Sequence, residues 1–330
     1  MPKPIADQVV VITGASTGIG RATAAALAGQ GAKVVAAARN VGALDSLVAD
    51  IRSAGGDAIA VPTDVSDAAQ VRALADVAEN TYGRIDTWVN NAAVAIWGRI
   101  EDITDEEFER VIRVNYLGQV HGVHAALPAL RRAGGGGIIG VASVESIRAV
   151  PLQAPYSASK FALLAFYDCL RIELAQDGSP ISVSTVLPAA IDTPLYEHGR
   201  SKLGALPKPP PPVYAPELVA DAIVRAVERP RREIPVGDSA LGFYFGQRLS
   251  PALTDGLMAI RLFAKKSQMY KRPDNGIDNL DKALDEPGRV RGSYPGRVLR
   301  HSLLTQLAAR VARPGELLSS AVNRVHMLTR

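Results

Sequence analysis

Residues 8–13, Gln-Val-Val-Val-Ile-Thr, form a β-branched run with no polar alternation, the pattern of a strand covered on both faces. Residues 21–30 are alanine-rich and predict a helix, and Lys33-Val34-Val35-Ala36-Ala37-Ala38 predicts a second strand ending at Arg39. The alternation continues with a helix over 44–54, a strand over 58–62, a helix over 67–82 and a strand over 86–89. A helically periodic stretch then runs from Thr104 to Leu130, and a strand over 138–142 follows the glycine turn at 134–137. The apolar run Phe161 to Phe166 predicts a helix, 181–187 a strand, 216–228 a helix and 233–236 a last strand. Strands that alternate with helices imply βαβ crossovers, so the expected fold class is α/β, a doubly wound parallel sheet with helices on both faces.

After residue 236 the rhythm breaks. Leu241 to Phe263 is rich in large apolar residues with few charges, and Arg272 to Tyr294, rich in Asp, Gly and Pro, reads as irregular. Leu299, Leu303, Leu307 and Val311 then recur every four residues beside Arg300 and Arg310, an amphipathic pattern. A mainly helical and irregular C-terminal extension is expected. Charge marks the same boundary: residues 241–330 hold 15 Lys+Arg against 7 Asp+Glu, a net of +8, whereas the remaining 22 against 26 leave residues 1–240 at −4. The chain is read as an α/β domain over 1–240 and a basic amphipathic extension over 241–330.

Composition narrows the classes. The 330 residues are 47% apolar and 21% charged, enough for a substantial core. No stretch approaches the about 18 uncharged apolar residues of a membrane span, and Met1 to Asp7 has no apolar signal region, so a cytoplasmic protein is expected. The lone Cys169 cannot form an internal disulfide and is expected as a buried small hydrophobe. His121 and His124 stand one turn apart without a carboxylate at ligand spacing, so no metal is expected. The arginines are not interleaved with stacking aromatics, which argues against nucleic acid as a partner.

The first chemistry lies in Gly14-Ala15-Ser16-Thr17-Gly18-Ile19-Gly20, between a strand and a helix. There Gly14 and Gly18 permit a tight turn and close approach of a pyrophosphate, Gly20 permits close helix–strand packing, and the helix N-terminus offers N–H groups to an anion. The end of the second strand discriminates between cofactors. A carboxylate would accept from the 2′-hydroxyl of NAD, while an arginine accommodates the 2′-phosphate of NADP. This chain has Arg39, with Asn40 as a further donor, which favours NADP(H) over NAD(H); the alternative is a solvated strand-end arginine. The second chemistry is Tyr156-Ser157-Ala158-Ser159-Lys160. On a helix, Tyr156 and Lys160 share a face, and the ammonium is expected to pull the phenol pKa toward the working range.

Together these motifs resemble the short-chain dehydrogenase/reductase family in its classical branch, a Rossmann-type fold, over roughly residues 5–240. Further marks agree in order. Asp64-Val65 is similar to the adenine-contacting pair and Asn90-Asn91-Ala92-Ala93 to the Asn-Asn-Ala-Gly turn, with Ala93 in place of the last glycine. Asn115 matches the relay asparagine, and Ser143 stands thirteen residues before Tyr156, the spacing of the catalytic serine. Pro188-Ala189 stands for Pro-Gly, followed by Ile191 and by Thr193 for the nicotinamide-contacting threonine. The resemblance implies that Tyr156 donates a proton to a carbonyl oxygen, Ser143 positions that oxygen, Lys160 holds the ribose hydroxyls, and Asn115 holds a water of a proton relay. It implies cofactor contacts at Gly14, Ser16, Thr17, Gly18, Ile19, Gly20, Arg39, Asn40, Asp64, Val65, Asn91, Ala92, Ala93, Tyr156, Lys160, Pro188, Ala189, Ile191 and Thr193, and a homo-oligomer, dimer or tetramer. Structural readings stand beside these: Asn115 as a brace for the sheet, Ser143 as a strand-end serine, and Ser157 and Ser159 as surface or helix-start hydroxyls.

The segment Leu195 to Val213, stiffened by Pro207 and Pro209 to Pro212, reads as a lid over the substrate. Candidate wall residues are Ala95, Ile96, Trp97, Glu145, Ile147, Val150 and Leu152, mostly apolar, which suggests a carbonyl or secondary alcohol on a hydrophobic body. The expected activity is that of an NADP(H)-dependent oxidoreductase, with a cofactor-holding redox sensor or scaffold without turnover as the alternative. The extension is expected to pack over the cleft, to form a subunit interface or to make peripheral contact with an anionic membrane surface.

Overall fold

A strand buried on both faces needs two layers of helices, and the computed structural model, which describes residues 3–259, 267–303 and 305, supplies them around β1 (Val9–Thr13). Alternate side chains of β1 point to opposite faces. Val10 and Ile12 pack with Leu27, Leu47 and Ile223, whereas Val9 and Val11 pack with Leu74, Val123 and Leu163. Helices α1 (Gly18–Ala28) and α2 (Val41–Ser53) lie on the first face. Helices α3 (Ala68–Tyr82), α4 (Asp105–Ile112), α5 (Gly118–Arg132) and α6 (Ala154–Gln176) lie on the second, and α8 (Pro216–Glu228) returns to the first. A four-residue helix, α7 (Leu195–His198), precedes α8 in the lid.

The sheet is all parallel. Its seven strands follow the order β10-β7-β6-β4-β1-β2-β3, with β2 (Lys33–Ala38), β3 (Asp57–Pro62), β4 (Thr87–Asn90), β6 (Gly136–Val141), β7 (Ile181–Pro188) and β10 (Glu233–Val236). Val10 is in register with Val34 on one side and Thr87 on the other. Two short parallel pairs lie outside it: β5 (Ile96–Trp97) with β8 (Arg200–Ser201), and β9 (Val213–Tyr214) with β11 (Val298–Leu299).

Local chemistry sets the ends. Asp67 caps α3 by accepting from Ala69 N and Gln70 N, and Gly83, at φ +79°, ends it. Asn40 accepts from Ala43 N at 2.9 Å, so α2 begins at Val41, three residues before the sequence pattern suggests. The periodic stretch from Thr104 is opened by a Thr104–Glu107 capping box and is interrupted at residues 113–117 by a π-helical turn containing Asn115. Pro155 lies in the first turn of α6, which places Tyr156 and Lys160 on that helix as the spacing predicts.

Cys169 departs from expectation. The buried side of α6 is carried by Leu163, Tyr167, Leu170 and Leu174, and Cys169 falls on the opposite side, exposed. The early extension is helical, as α9 (Asp238–Leu249) and α10 (Pro251–Ala259), while residues 260–266 of the apolar stretch lie outside the described residues. The four-residue repeat does not begin as a helix. Leu299 belongs to β11 and packs on the core, Leu303 is exposed, and Leu307, Arg310 and Val311 lie outside the described residues. Among the described residues no helix is long and apolar enough to cross a membrane.

One glycine shows how tightly β6 meets α6. A Cβ on Gly140 would lie 2.1 Å from the Tyr167 ring, whose hydroxyl donates to Gln119 Oε1 at 2.6 Å and accepts from Asn90 Nδ2 at 3.1 Å. Gly140→Ala must therefore shift the ring and break a buried polar network, a cost of about 1–3 kcal/mol. A denaturation midpoint lowered relative to wild type checks this; Gly242→Ala, where nothing lies within 4 Å, serves as the control and does not lower it.

Candidate active site

All strands of a parallel sheet run the same way, so the turns leaving their carboxyl ends share one rim. In this chain those turns enclose a cavity of about 460 Å³, bordered by Gly14, Ala38, Asn91, Val141 and Pro188 from five of the strand ends. At the β1–α1 turn Gly14 and Gly18 adopt φ +66° and +58°, the left-handed region that glycine tolerates. A Cβ on Gly14 would lie 2.7 Å from Ala92 Cα, and one on Gly20 would lie 2.2 Å from the Gly14 carbonyl oxygen. Asn91 Nδ2 ties the two turns together by donating to the carbonyls of Thr13 and Gly14 at 3.1 and 3.0 Å. Thr17 precedes α1 without any side-chain cap; the Gly18 amide donates to the Arg289 carbonyl at 2.9 Å, and Gly18 and Ile19 of the first turn lie at the cavity wall.

Most of the residues expected around a dinucleotide border this one cavity: Gly14, Ser16, Thr17, Gly18, Ile19, Arg39, Asn40, Asp64, Val65, Asn91, Ala92, Ala93, Pro188, Ala189, Ile191 and Thr193. Gly20 does not; it is the packing glycine beneath the turn. Two side chains are less available than their types suggest. Asn40 spends Nδ2 on the carbonyls of Leu284 and Glu286 at 2.6 and 2.9 Å, and Oδ1 on the α2 cap, so it is not the further donor expected from sequence. The Asp64 carboxylate accepts from Ser66 N and Oγ and from Arg110. Burial works against that carboxylate, but these bonds outweigh it and hold its pKa below the usual value. Arg39 keeps more of its capacity, since its bonds to the carbonyls of Asn279 at 2.5 Å and Asp281 at 3.2 Å use two of five donors.

At the other end of the cavity α6 brings Tyr156 and Lys160 to one wall, with Ser143 and Glu145 from the turn after β6. Lys160 Nζ donates to the Val141 carbonyl at 3.0 Å and lies 5.4 Å from the centre of the Tyr156 ring. The ammonium does not lower the phenol pKa as the spacing alone suggests. Burial lifts Tyr156 well above its ordinary value, Glu145 adds to the rise, and only the Ser143 hydroxyl works against it. Burial also brings Lys160 down to about 8, with Glu145 opposing. Glu145 itself is pushed up to about 8 by burial, against the hydrogen bond from Ser157 Oγ at 2.6 Å and the charge of Lys160.

Ser157 and Ser159 are therefore not surface hydroxyls. Both are buried; Ser157 serves Glu145, and Ser159 Oγ donates to the Tyr156 carbonyl at 2.6 Å. Asn115 does not border the cavity. Its Oδ1 accepts from Val94 N at 2.8 Å and its Nδ2 donates to Val94 O at 2.9 Å and Ser159 Oγ at 3.2 Å, bracing the turn after β4 against α6. Ser143 Oγ accepts from Glu145 N at 3.1 Å and borders the cavity beside Tyr156.

Of the expected substrate wall, Trp97, Glu145 and Val150 border the cavity, whereas Ala95, Ile96, Ile147 and Leu152 do not. The lid contributes Leu195, Tyr196, His198 and Pro210 to Pro212. Packing of the extension over the cleft is one of three expectations, but sequence reasoning does not single out Gln153, Phe243, Gln268, Asn279, Leu284 or Glu286; the last three lie in an irregular Asp- and Gly-rich stretch where nothing marks a return to a cleft.

This arrangement has relatives. Residues 8–204 match the family described as short chain dehydrogenase, and the chain belongs to the short-chain dehydrogenase/reductase family, as an oxidoreductase. It is 40% identical over 313 residues to YxnA of Bacillus subtilis, described as an uncharacterized oxidoreductase, which covers 93% of this chain and 87% of that protein. Among solved structures it is similar to a short-chain dehydrogenase/reductase of Burkholderia phymatum in complex with NAD, at 29% identity and a TM-score of 0.69, covering 76% of this chain and 96% of that one. It is also similar to an alcohol dehydrogenase of Thermococcus sibiricus complexed with 5-hydroxy-NADP, at 29% identity and a TM-score of 0.61, covering 69% and 95%.

Proposed function

We propose that this protein is an NADP(H)-dependent reductase of carbonyl groups carried on hydrophobic bodies. The observation that carries the reading is one cavity with the glycine turn, the N-terminus of α1 and Arg39 at one end and Ser143, Tyr156 and Lys160 at the other. The residues fit a nicotinamide dinucleotide. The glycine turn and the Ile19 amide at the start of α1 suit a pyrophosphate, Arg39 suits a 2′-phosphate, and Asn279 Oδ1 is buried beside the cavity with no partner among the described residues. A bound dinucleotide would supply or accept hydride; every other task falls to the chain.

Tyr156 is the proton donor. Its raised pKa keeps the phenol protonated at neutral pH, the form that carbonyl reduction consumes. Ser143 donates to the same carbonyl oxygen and stabilises the charge that develops there, while the bond from Glu145 N fixes its oxygen. Lys160, seated by Val141, would hold the ribose hydroxyls. Trp97, Val150, Leu195, Tyr196 and Phe243 form an apolar wall that excludes water and selects an apolar substrate body. The carboxyl of Glu145, largely protonated at neutral pH, leaves no anion beside the phenol.

NADPH oxidation across hydrophobic aldehydes and ketones tests the activity; cofactor binding without turnover on any of them supports a sensor instead. Tyr156→Phe should lose at least about a hundredfold in kcat, the usual contribution of a positioned acid, with NADPH affinity nearly unchanged by fluorescence titration. Retention of most activity would remove Tyr156 from the chemistry. Arg39→Asp should reduce the ratio of kcat/KM for NADPH over NADH by about tenfold or more, as loss of about 1.4 kcal/mol requires; an unaltered ratio overturns the cofactor assignment. As pH rises through about 8, Glu145 ionises and makes the neighbouring phenol a weaker acid, so reduction should slow along an alkaline limb. Glu145→Gln should remove that limb; if the limb persists in the pH profile, it belongs to Lys160, which is brought down to a similar value.

A further inference from the structure

Beyond β10 the chain comes back across the cavity. Residues 278–293 run as an irregular strap between the cofactor side of the rim and the lid. On the cofactor side its acceptors are all main-chain: the Arg289 carbonyl takes Gly18 N at 2.9 Å, and those of Asn279, Asp281, Leu284 and Glu286 take Arg39 and Asn40. On the lid side it is moored by ion pairs, Arg289 to Glu197 at 2.7 Å and Asp278 to Arg200 at 2.9 Å, and by Asn279 N donating to His198 O at 2.8 Å. Arg110 Nε donates to Leu280 O at 3.0 Å, and the Leu280 side chain is buried in the core cluster with Val65 and Val111.

Between these moorings Asn279, Ala283, Leu284 and Glu286 border the cavity itself. Asn279 Oδ1 is a buried acceptor with no partner among the described residues, a state that is costly unless a ligand satisfies it. A polar side chain in that condition, on a residue whose main-chain carbonyl accepts from Arg39, points to a donor on whatever fills the adenosine end of the cleft.

We infer that residues 278–289 are a wall of the dinucleotide site, with the Asn279 amide as a direct hydrogen-bond partner of the adenosine moiety and the strap as a clamp that must lift for the cofactor to leave. The inference rests on the dinucleotide reading above. Neutral carbonyls orient Arg39 without cancelling its charge, so strap and phosphate can engage the same guanidinium together. Lifting the strap breaks the main-chain bonds to Gly18, Arg39 and Asn40, so release is expected to be slow.

The full-length protein tests this in two ways that do not read turnover. Displacement of NADPH by excess NADP, followed by nucleotide fluorescence in a stopped-flow instrument, should show dissociation about tenfold faster for Asn279→Ala, the equivalent of losing one hydrogen bond. Arg289→Ala, which frees the mooring at Glu197 without touching the cavity, should also speed release. Lys282 is exposed on the strap, and its cleavage by trypsin, read by mass spectrometry, should slow severalfold when NADPH is bound. NADPH that binds but leaves Lys282 cleavage and both dissociation rates unaltered overturns the clamp while sparing the dinucleotide reading. Failure of NADPH and NADH to bind at all overturns both.

Discussion

A parallel sheet must be covered on both faces, and the helices that cover it return the chain to the same edge each time. That constraint makes the site. Thr13, Ala38, Asn90, Val141 and Pro188 end their strands along one rim, and the turns that follow enclose a common hollow. The glycines of the first turn are the local cost of the arrangement: a Cβ at Gly14 or Gly20 would collide with backbone that has to approach for helix and sheet to pack. Close packing of α1 on the sheet and the placing of its N-terminus at the rim are consequences of one geometry.

Burial decides the electrostatics at the far end of the hollow. Three ionisable groups, Glu145, Tyr156 and Lys160, share a wall, and pairwise attraction favours an ionised Glu145 and Lys160. Desolvation outweighs attraction for each, and all three move toward their neutral forms. A neutral phenol beside a neutral carboxyl is a stored proton source. The wall in this sense holds its protons at neutral pH, the state on which the proposed reduction draws.

What the sequence could reveal follows from how each feature is encoded. Periodicity and the strand–turn–helix context carry the sheet, the glycine turn and the shared face of Tyr156 and Lys160, because these depend on side chains a few residues apart. Features that depend on distant packing were hidden. Cys169 is exposed because α6 buries the side carrying Leu163, Tyr167 and Leu170. Ser157 and Ser159 look like helix-start hydroxyls until the β6 turn places Glu145 over one and the π-helical turn places Asn115 against the other. Asp64 and Asn40 have the right type and position, yet their polar atoms are committed to Ser66, Arg110 and the strap. The strap left no trace in the pattern at all, since it acts through main-chain carbonyls, which every residue possesses.

The basic extension reads differently once its partners are known. Arg289 and Arg291, which a charge tally offers to an anionic surface, pair with Glu197 and Glu217 of the same chain. The same internal pairing protects the charge that matters in the cleft. Two carboxylates act on Arg39, Asp64 and Asp281, and each is taken up elsewhere, by Arg110 at 3.1 Å and Arg200 at 2.8 Å. Arg39 is therefore held in place by neutral carbonyls while potential competitors for its charge are occupied. A cation steered in that way is better suited to a phosphate than to a hydroxyl, and the support it gives to the proposed choice of NADP(H) comes from the extension as much as from the strand that precedes the arginine.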